Sequence, residues 1–146
     1  MIQTKLESNL QALPISWDWR TKSKITRPRD QGPCSSCWAF ATAGMLESTY
    51  SIKMNTKWVA NLAEQYWVEC DTGNRGCAGG NTRLALEFVQ NFTGLYYEGE
   101  LPYLANATTT CTVSPPTRNL GFPKLKTGSP ALRVNASPYY IKYALT

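Results

Sequence analysis

The 146-residue chain is 42% apolar and contains eight Tyr, five Trp and four Phe, a composition that excludes a disordered polypeptide and suits one ordinary domain. Its net charge is +5, yet the densest basic stretch (Arg20, Lys22, Lys24, Arg27, Arg29) is flanked by Asp18 and Asp30. No base-reading module accompanies that stretch, so it reads as a solvated edge and not as a nucleic-acid footprint. No run approaches the roughly eighteen apolar residues needed to cross a bilayer. The opening MIQTKLESNLQALP lacks the apolar stretch of a signal peptide, so a secretory origin would require sequence upstream of it.

In chain order, the strongest helix candidate spans residues 35–53, with Ser35 or Ser36 as its cap. Trp38, Ala41, Met45 and Thr49 recur there at three- and four-residue steps, while Phe40, Ala43 and Leu46 lie off that stripe, which predicts burial on more than one side. A second helix is expected over 62–70, with Asn61 as cap and Glu64 completing a capping-box variant. DTGNRGCAGGN follows as a glycine-punctuated loop. A third helix is expected over 82–92, where Leu84, Ala85, Phe88, Val89 and Phe92 share a face and Gly94 closes it. From Cys111 onward five prolines interrupt the chain, and it reads as loop and short strand.

Five cysteines, at 34, 37, 70, 77 and 111, partition most economically into two bridges and one free thiol in an oxidising compartment. Sequons at Asn91, Asn106 and Asn135 agree with a secretory or lysosomal route. The stretch DQGPCSSCWAF admits three readings of Cys34 and Cys37. A thioredoxin-like redox pair needs a preceding central strand, but Pro28 and Pro33 interrupt that segment. A four-sulfur zinc site would need Cys70 and Cys77 as a second knuckle, and they stand too far apart. In the third reading Cys34 is bridged elsewhere and Cys37 remains free at a helix start, where the macrodipole and unpaired N–H groups stabilise a thiolate.

DQGPCSSCWAF resembles the nucleophile segment of the papain-like cysteine peptidases, the cathepsin family, whose signature around that cysteine it matches. The likeness extends to LP followed by SWDWR, NLAEQYWVECD, GNRGCAGG and LPYLANATTTC, in the family's order over roughly residues 13–111. It implies an α+β, papain-like two-domain fold, of which this chain covers the mainly helical left domain and little of the β-rich right domain. Residues 1–12 would be a remnant of a prosegment or leader, 13–112 the left domain, and 113–146 an incomplete tail toward the right domain.

The resemblance also implies a function, thiol-dependent hydrolysis of peptide bonds. Cys37 would be the attacking thiolate, with the Gln31 amide and the Cys37 backbone N–H as oxyanion donors. Gly79 and Gly80 would lie along an extended peptide substrate, and Trp38 would be core. The implied bridges are Cys34–Cys77 and Cys70–Cys111, each worth about 4 kcal/mol in the chain-entropy model. No cofactor and no metal is implied; the partners would be a peptide or protein substrate and a second chain supplying the right domain, with no nucleic acid or membrane.

Several positions depart from the pattern. Ser35 stands where the signature has glycine, Ala63 replaces a capping serine, and Asn81 and Thr82 follow the glycines in place of bulkier residues. Most consequential, the chain contains no histidine. Catalysis of this type pairs the cysteine with a histidine oriented by an asparagine, both in the right domain of the family. The expectation is therefore an inactive chain when alone, with a truncated peptide-binding or interaction protein as the alternative.

Overall fold

In the computed structural model, the structure describes residues 14–57, 59–90, 95–107, 110, 111, 113 and 114. Three α-helices organise them: α1 (Cys37–Lys53), α2 (Glu64–Cys70) and α3 (Thr82–Gln90), with α1 packed against both others. A 3-10 turn, Trp19–Lys22, precedes them; Asp18 caps it by accepting from the Arg20 N–H at 2.8 Å. Among the described residues, extended pairing is limited to an antiparallel bridge between Leu62 and Tyr97.

Helix α1 begins two residues later than its sequence pattern indicates, because Ser36 takes the cap position without a side-chain cap bond. The expected stripe is also wrong. Ala41, Met45 and Thr49 face solvent, and the buried face is Trp38, Ala39, Thr42, Ala43, Leu46, Glu47 and Ser51. Polar Thr42, Glu47 and Ser51 sit on that face and disguise its period. Thr42 is satisfied by donating to the Trp38 carbonyl at 2.7 Å.

The basic stretch is not uniformly a solvated edge either. Lys24 is buried and its ammonium donates to the carbonyls of Thr56 at 2.6 Å and Ser51 at 3.3 Å, beyond and within the last turn of α1. That places a cation at the negative end of the helix. Arg29 also turns inward. Its Nη2 donates to both oxygens of fully buried Glu47, at 2.8 and 2.9 Å, and its Nη1 lies 2.7 Å from Glu64 Oε1. Glu47 further accepts from the Leu62 N–H at 2.7 Å and the Thr26 hydroxyl at 2.9 Å. One guanidinium thus ties the segment before Gln31 to α1 and α2.

Asn61 does not cap α2. Its carbonyl pairs with the Glu98 N–H at 2.8 Å, Ala63 donates to Tyr96 O at 2.9 Å, and helical geometry starts only at Glu64 with Ala63 in the cap position. Six of the seven α2 residues are buried, and Trp67 donates its indole N–H to the Ala85 carbonyl at 3.1 Å, joining α2 to α3. On α3, Ala85 and Val89 are buried and Phe88 packs at the core's edge, whereas Leu84 is exposed, contrary to the expected face. Residues 91–94, and with them Asn91, Phe92 and Gly94, lie outside the described residues, as does Asn135.

Two disulfides cross-link the domain: Cys34 to Cys77, 43 residues apart, and Cys70 to Cys111, 41 apart. The core they bracket centres on Trp38, Leu46, Leu62, Trp67, Val68 and Val89. Asn106 is exposed, and its carbonyl accepts from Gln65 Nε2 at 2.7 Å.

Candidate active site

The site grows out of a turn. Asp30 accepts from the Gly32 N–H at 2.8 Å, and Gly32 has φ of +58°, a conformation that costs glycine little. The reversal brings Gln31 back onto the chain ahead of the helix, where its Nε2 donates to the Cys34 carbonyl at 2.9 Å. An amide nitrogen carries two hydrogens, so this contact uses one and leaves the other. Cys37 is the first residue of α1, exposed and unbridged. The first N–H groups of a helix have no intrahelical acceptors, so Cys37 sits among donors.

Cys34 is held by Cys77, and the Ser35 N–H donates to the Cys77 carbonyl at 3.1 Å. Disulfide and hydrogen bond together press the glycine loop against the start of α1. Trp38 completes the attachment, donating its indole N–H to the Gly76 carbonyl at 3.2 Å. Gly80 packs so tightly over that indole that a Cβ there would lie 2.6 Å from the Trp38 ring and 2.5 Å from Asn74 Oδ1. Gly79 has φ of +108° and open space on its Cβ side. Trp38 is thus core, as the sequence indicated, and also the floor on which the loop lies.

Asn74 orders the far end of that loop, donating to Asp71 Oδ2 and accepting from the Asn81 N–H, both at 2.6 Å. Asn81 in turn accepts from the Arg83 N–H at 2.8 Å at the start of α3.

These contacts bring Gln31, Cys34, Cys37, Cys77, Gly79 and Gly80 into one neighbourhood; Cys70 and Cys111 are joined at the last residue of α2, and the Asn106 carbonyl is held by Gln65 in its first turn. Both alternative readings of the cysteine pair fail on the same fact. Cys34 is consumed by Cys77 and Cys70 by Cys111, so neither a Cys34–Cys37 redox pair nor a four-thiolate metal site is formed. Sequence reasoning passed over Tyr103. Its hydroxyl lies 2.7 Å from the Gln31 carbonyl and 2.6 Å from Ser36 Oγ. A tyrosine hydroxyl taken out of water needs a partner, but nothing in the sequence names one 72 residues away.

Comparison with known proteins agrees with this architecture. The sequence profile of the papain family cysteine proteases matches residues 13–131. The viral cathepsin of Choristoneura fumiferana nuclear polyhedrosis virus is 45% identical over 93 residues, 64% of this chain and 28% of that protein. A KDEL-tailed cysteine endopeptidase of Arabidopsis thaliana is 44% identical over 96 residues, 65% of this chain and 26% of that protein. Among solved structures, digestive procathepsin L2 proteinase from the larval midgut of Tenebrio molitor superposes with a TM-score of 0.67 at 31% identity, covering 73% of this chain and 33% of that one. The bromelain protease of Ananas comosus gives 0.61 at 35% identity, covering 76% and 47%.

The fold is that of a papain-like protein. This chain belongs to the papain family of cysteine proteases, and its described part is the mainly helical left domain of that fold. It spans 28% of the length of the viral relative it matches.

Proposed function

We propose that the chain supplies the nucleophile-bearing wall of a cysteine peptidase, acting in thiol-dependent hydrolysis of peptide bonds. The observation that carries this reading is the unbridged, exposed Cys37 at the first position of a 17-residue helix, with the Gln31 amide directed at the chain three residues before it. In the reaction, Cys37 Sγ bonds to the scissile carbonyl carbon and the π pair moves onto oxygen. That oxyanion accepts from the Cys37 N–H and the second Gln31 Nε2–H, a donor type worth about 2.7–4 kcal/mol. Collapse restores the carbonyl as an acyl-thioester, and the departing amine takes up a proton. Water then releases the acyl group and returns the thiol.

In the papain-like scheme the proton transfers run through an imidazole, and this chain has no histidine to supply one. The histidine and its orienting asparagine would come from residues outside this sequence, in the right domain or a second chain. On this reading 1–12 is a remnant of a prosegment or leader, 13–112 is the left domain, 113–146 leads toward the right domain, and Gly79-Gly80 flanks the substrate backbone. The two disulfides and three sequons support a secretory, lysosomal or vacuolar setting.

The test is hydrolysis of a fluorogenic peptide by the 146-residue chain and by the product of the complete coding sequence. The chain alone is expected to be silent, since loss of the catalytic histidine removes about a millionfold in turnover. The complete product is expected to hydrolyse, Cys37→Ala to abolish this, and Gln31→Ala to cost about 100- to 1,000-fold. Turnover by the isolated chain, or an active Cys37→Ala product, would refute the reading.

A further inference from the structure

We propose that Tyr103 is a positioning residue of this site, its hydroxyl bridging the Gln31 carbonyl and the Ser36 hydroxyl so that the oxyanion donor is held in register with the nucleophile. The proposal rests on the roles given above to Cys37 and Gln31.

The proton assignment follows from chemistry. A backbone carbonyl only accepts, so Tyr103 donates its one hydroxyl proton to Gln31 O, 2.7 Å away. Ser36 must then be the donor in its 2.6 Å contact with Tyr103 Oη. Its other neighbour, the Cys34 carbonyl, is 3.5 Å away and already accepts from Gln31 Nε2 at 2.9 Å. The bonds close a ring: Gln31 side chain to Cys34, Cys34 along the backbone to Ser36, Ser36 to Tyr103, and Tyr103 back to the Gln31 backbone. Gln31 is gripped at both ends, and Ser36, fully buried, is the residue immediately before Cys37.

Tyr103 can set a position because it is itself fixed. Its ring meets Phe40, in the first turn of α1, edge-on at 4.8 Å between centroids. Its N–H donates to Glu98 Oε1 at 2.8 Å. The next residue, Leu104, donates to Gln65 Oε1 at 2.9 Å, and Gln65 Nε2 holds the Asn106 carbonyl, so the segment is clamped to α2. Removing only the hydroxyl keeps the aromatic contact and frees the Gln31 backbone from Ser36.

Two reactions of Cys37 separate position from thiol reactivity. Alkylation by iodoacetamide forms a carbon–sulfur bond and expels iodide, with no oxyanion. A peptide aldehyde adds reversibly: sulfur bonds to the carbonyl carbon, and the thiol proton ends on the carbonyl oxygen, which lies where Gln31 donates. Aldehyde affinity is read as protection of Cys37 from alkylation in the 146-residue chain.

Tyr103→Phe and Ser36→Ala are each expected to weaken aldehyde binding about tenfold, the size of one hydrogen bond's net contribution, while alkylation stays within about twofold. Gln31→Ala should weaken it at least as much. Parent-like aldehyde affinity in Tyr103→Phe, beside a weakened Gln31→Ala, overturns the proposal and leaves the functional reading intact. Equal losses in both reactions with a lower thermal midpoint mark the hydroxyl as structural support only, and overturn it too. If Gln31→Ala binds aldehyde like the parent, the oxyanion assignment fails and the proposal falls with it.

Discussion

Glu64 should make the folded domain less stable as pH rises from 5 to 8. It is fully buried at the start of α2, and neither carboxylate oxygen has a well-aligned hydrogen bond from another side chain. Burial is the chief reason its carboxyl is pushed from 4.5 to about 7, and the negative charges of Glu98 and Glu47 add to it. Its own backbone N–H and Arg29 oppose the rise, but Arg29 Nη2 is already committed to both oxygens of Glu47. Two buried carboxylates share one cation, so a proton on Glu64 relieves the excess.

The sign follows from linkage. Between pH 4.5 and about 7 the folded chain keeps a proton that the unfolded chain has released, so raising pH favours unfolding. The contribution is complete below 4.5 and gone above about 7; that interval corresponds to about 3 kcal/mol. A domain of this size should lose on the order of 10 °C in thermal midpoint between pH 5 and pH 8. Urea denaturation followed by tryptophan fluorescence measures the free energy, and Glu64→Gln, which has no proton to lose, should flatten the profile. A parent whose stability holds or rises over that window refutes the reasoning, as does a Glu64→Gln variant with the same decline.

Glu47→Ala strips one of two buried partners from Arg29 and the acceptor from the Leu62 N–H, and should cost about 3–5 kcal/mol in the same urea assay. Cys34→Ser opens the bridge to Cys77 across 43 residues and should cost about 4 kcal/mol, with the glycine loop becoming sensitive to limited proteolysis at Gly79–Gly80. Gly80→Ala drives a methyl against the fixed Trp38 ring and the doubly bonded Asn74, and should cost about 1–3 kcal/mol by overpacking. A red-shifted tryptophan emission would report the displaced indole.

The three helices were legible in the sequence to within a few residues, because each rests on local signals: a serine before an apolar run, apolar residues recurring at three- and four-residue steps. What escaped was decided at a distance. The inward face of α1 is carried partly by Glu47 and Thr42, which become core residues only because Arg29 and the Trp38 carbonyl meet them. Asn61 looked like a cap because it stands three residues before Glu64, yet pairing of its carbonyl with Glu98 keeps that stretch extended. Lys24 and Arg29 read as solvated charge because composition says nothing about which cations find buried acceptors. At the site, the cysteine and glycine positions stood out through family likeness. Tyr103 did not, since its role depends on a contact across 72 residues.

The sulfur chemistry at the head of α1 confines the molecule between two redox failures. As the proposed nucleophile Cys37 would have to stay a reduced thiol, whereas its neighbour three positions earlier must stay oxidised to keep the glycine loop stapled in place. A strongly reducing milieu would unfasten the loop while sparing the thiol; a strongly oxidising one would cap the thiol while sparing the loop. The interval between those potentials is the milieu in which both sulfurs hold their required states at once.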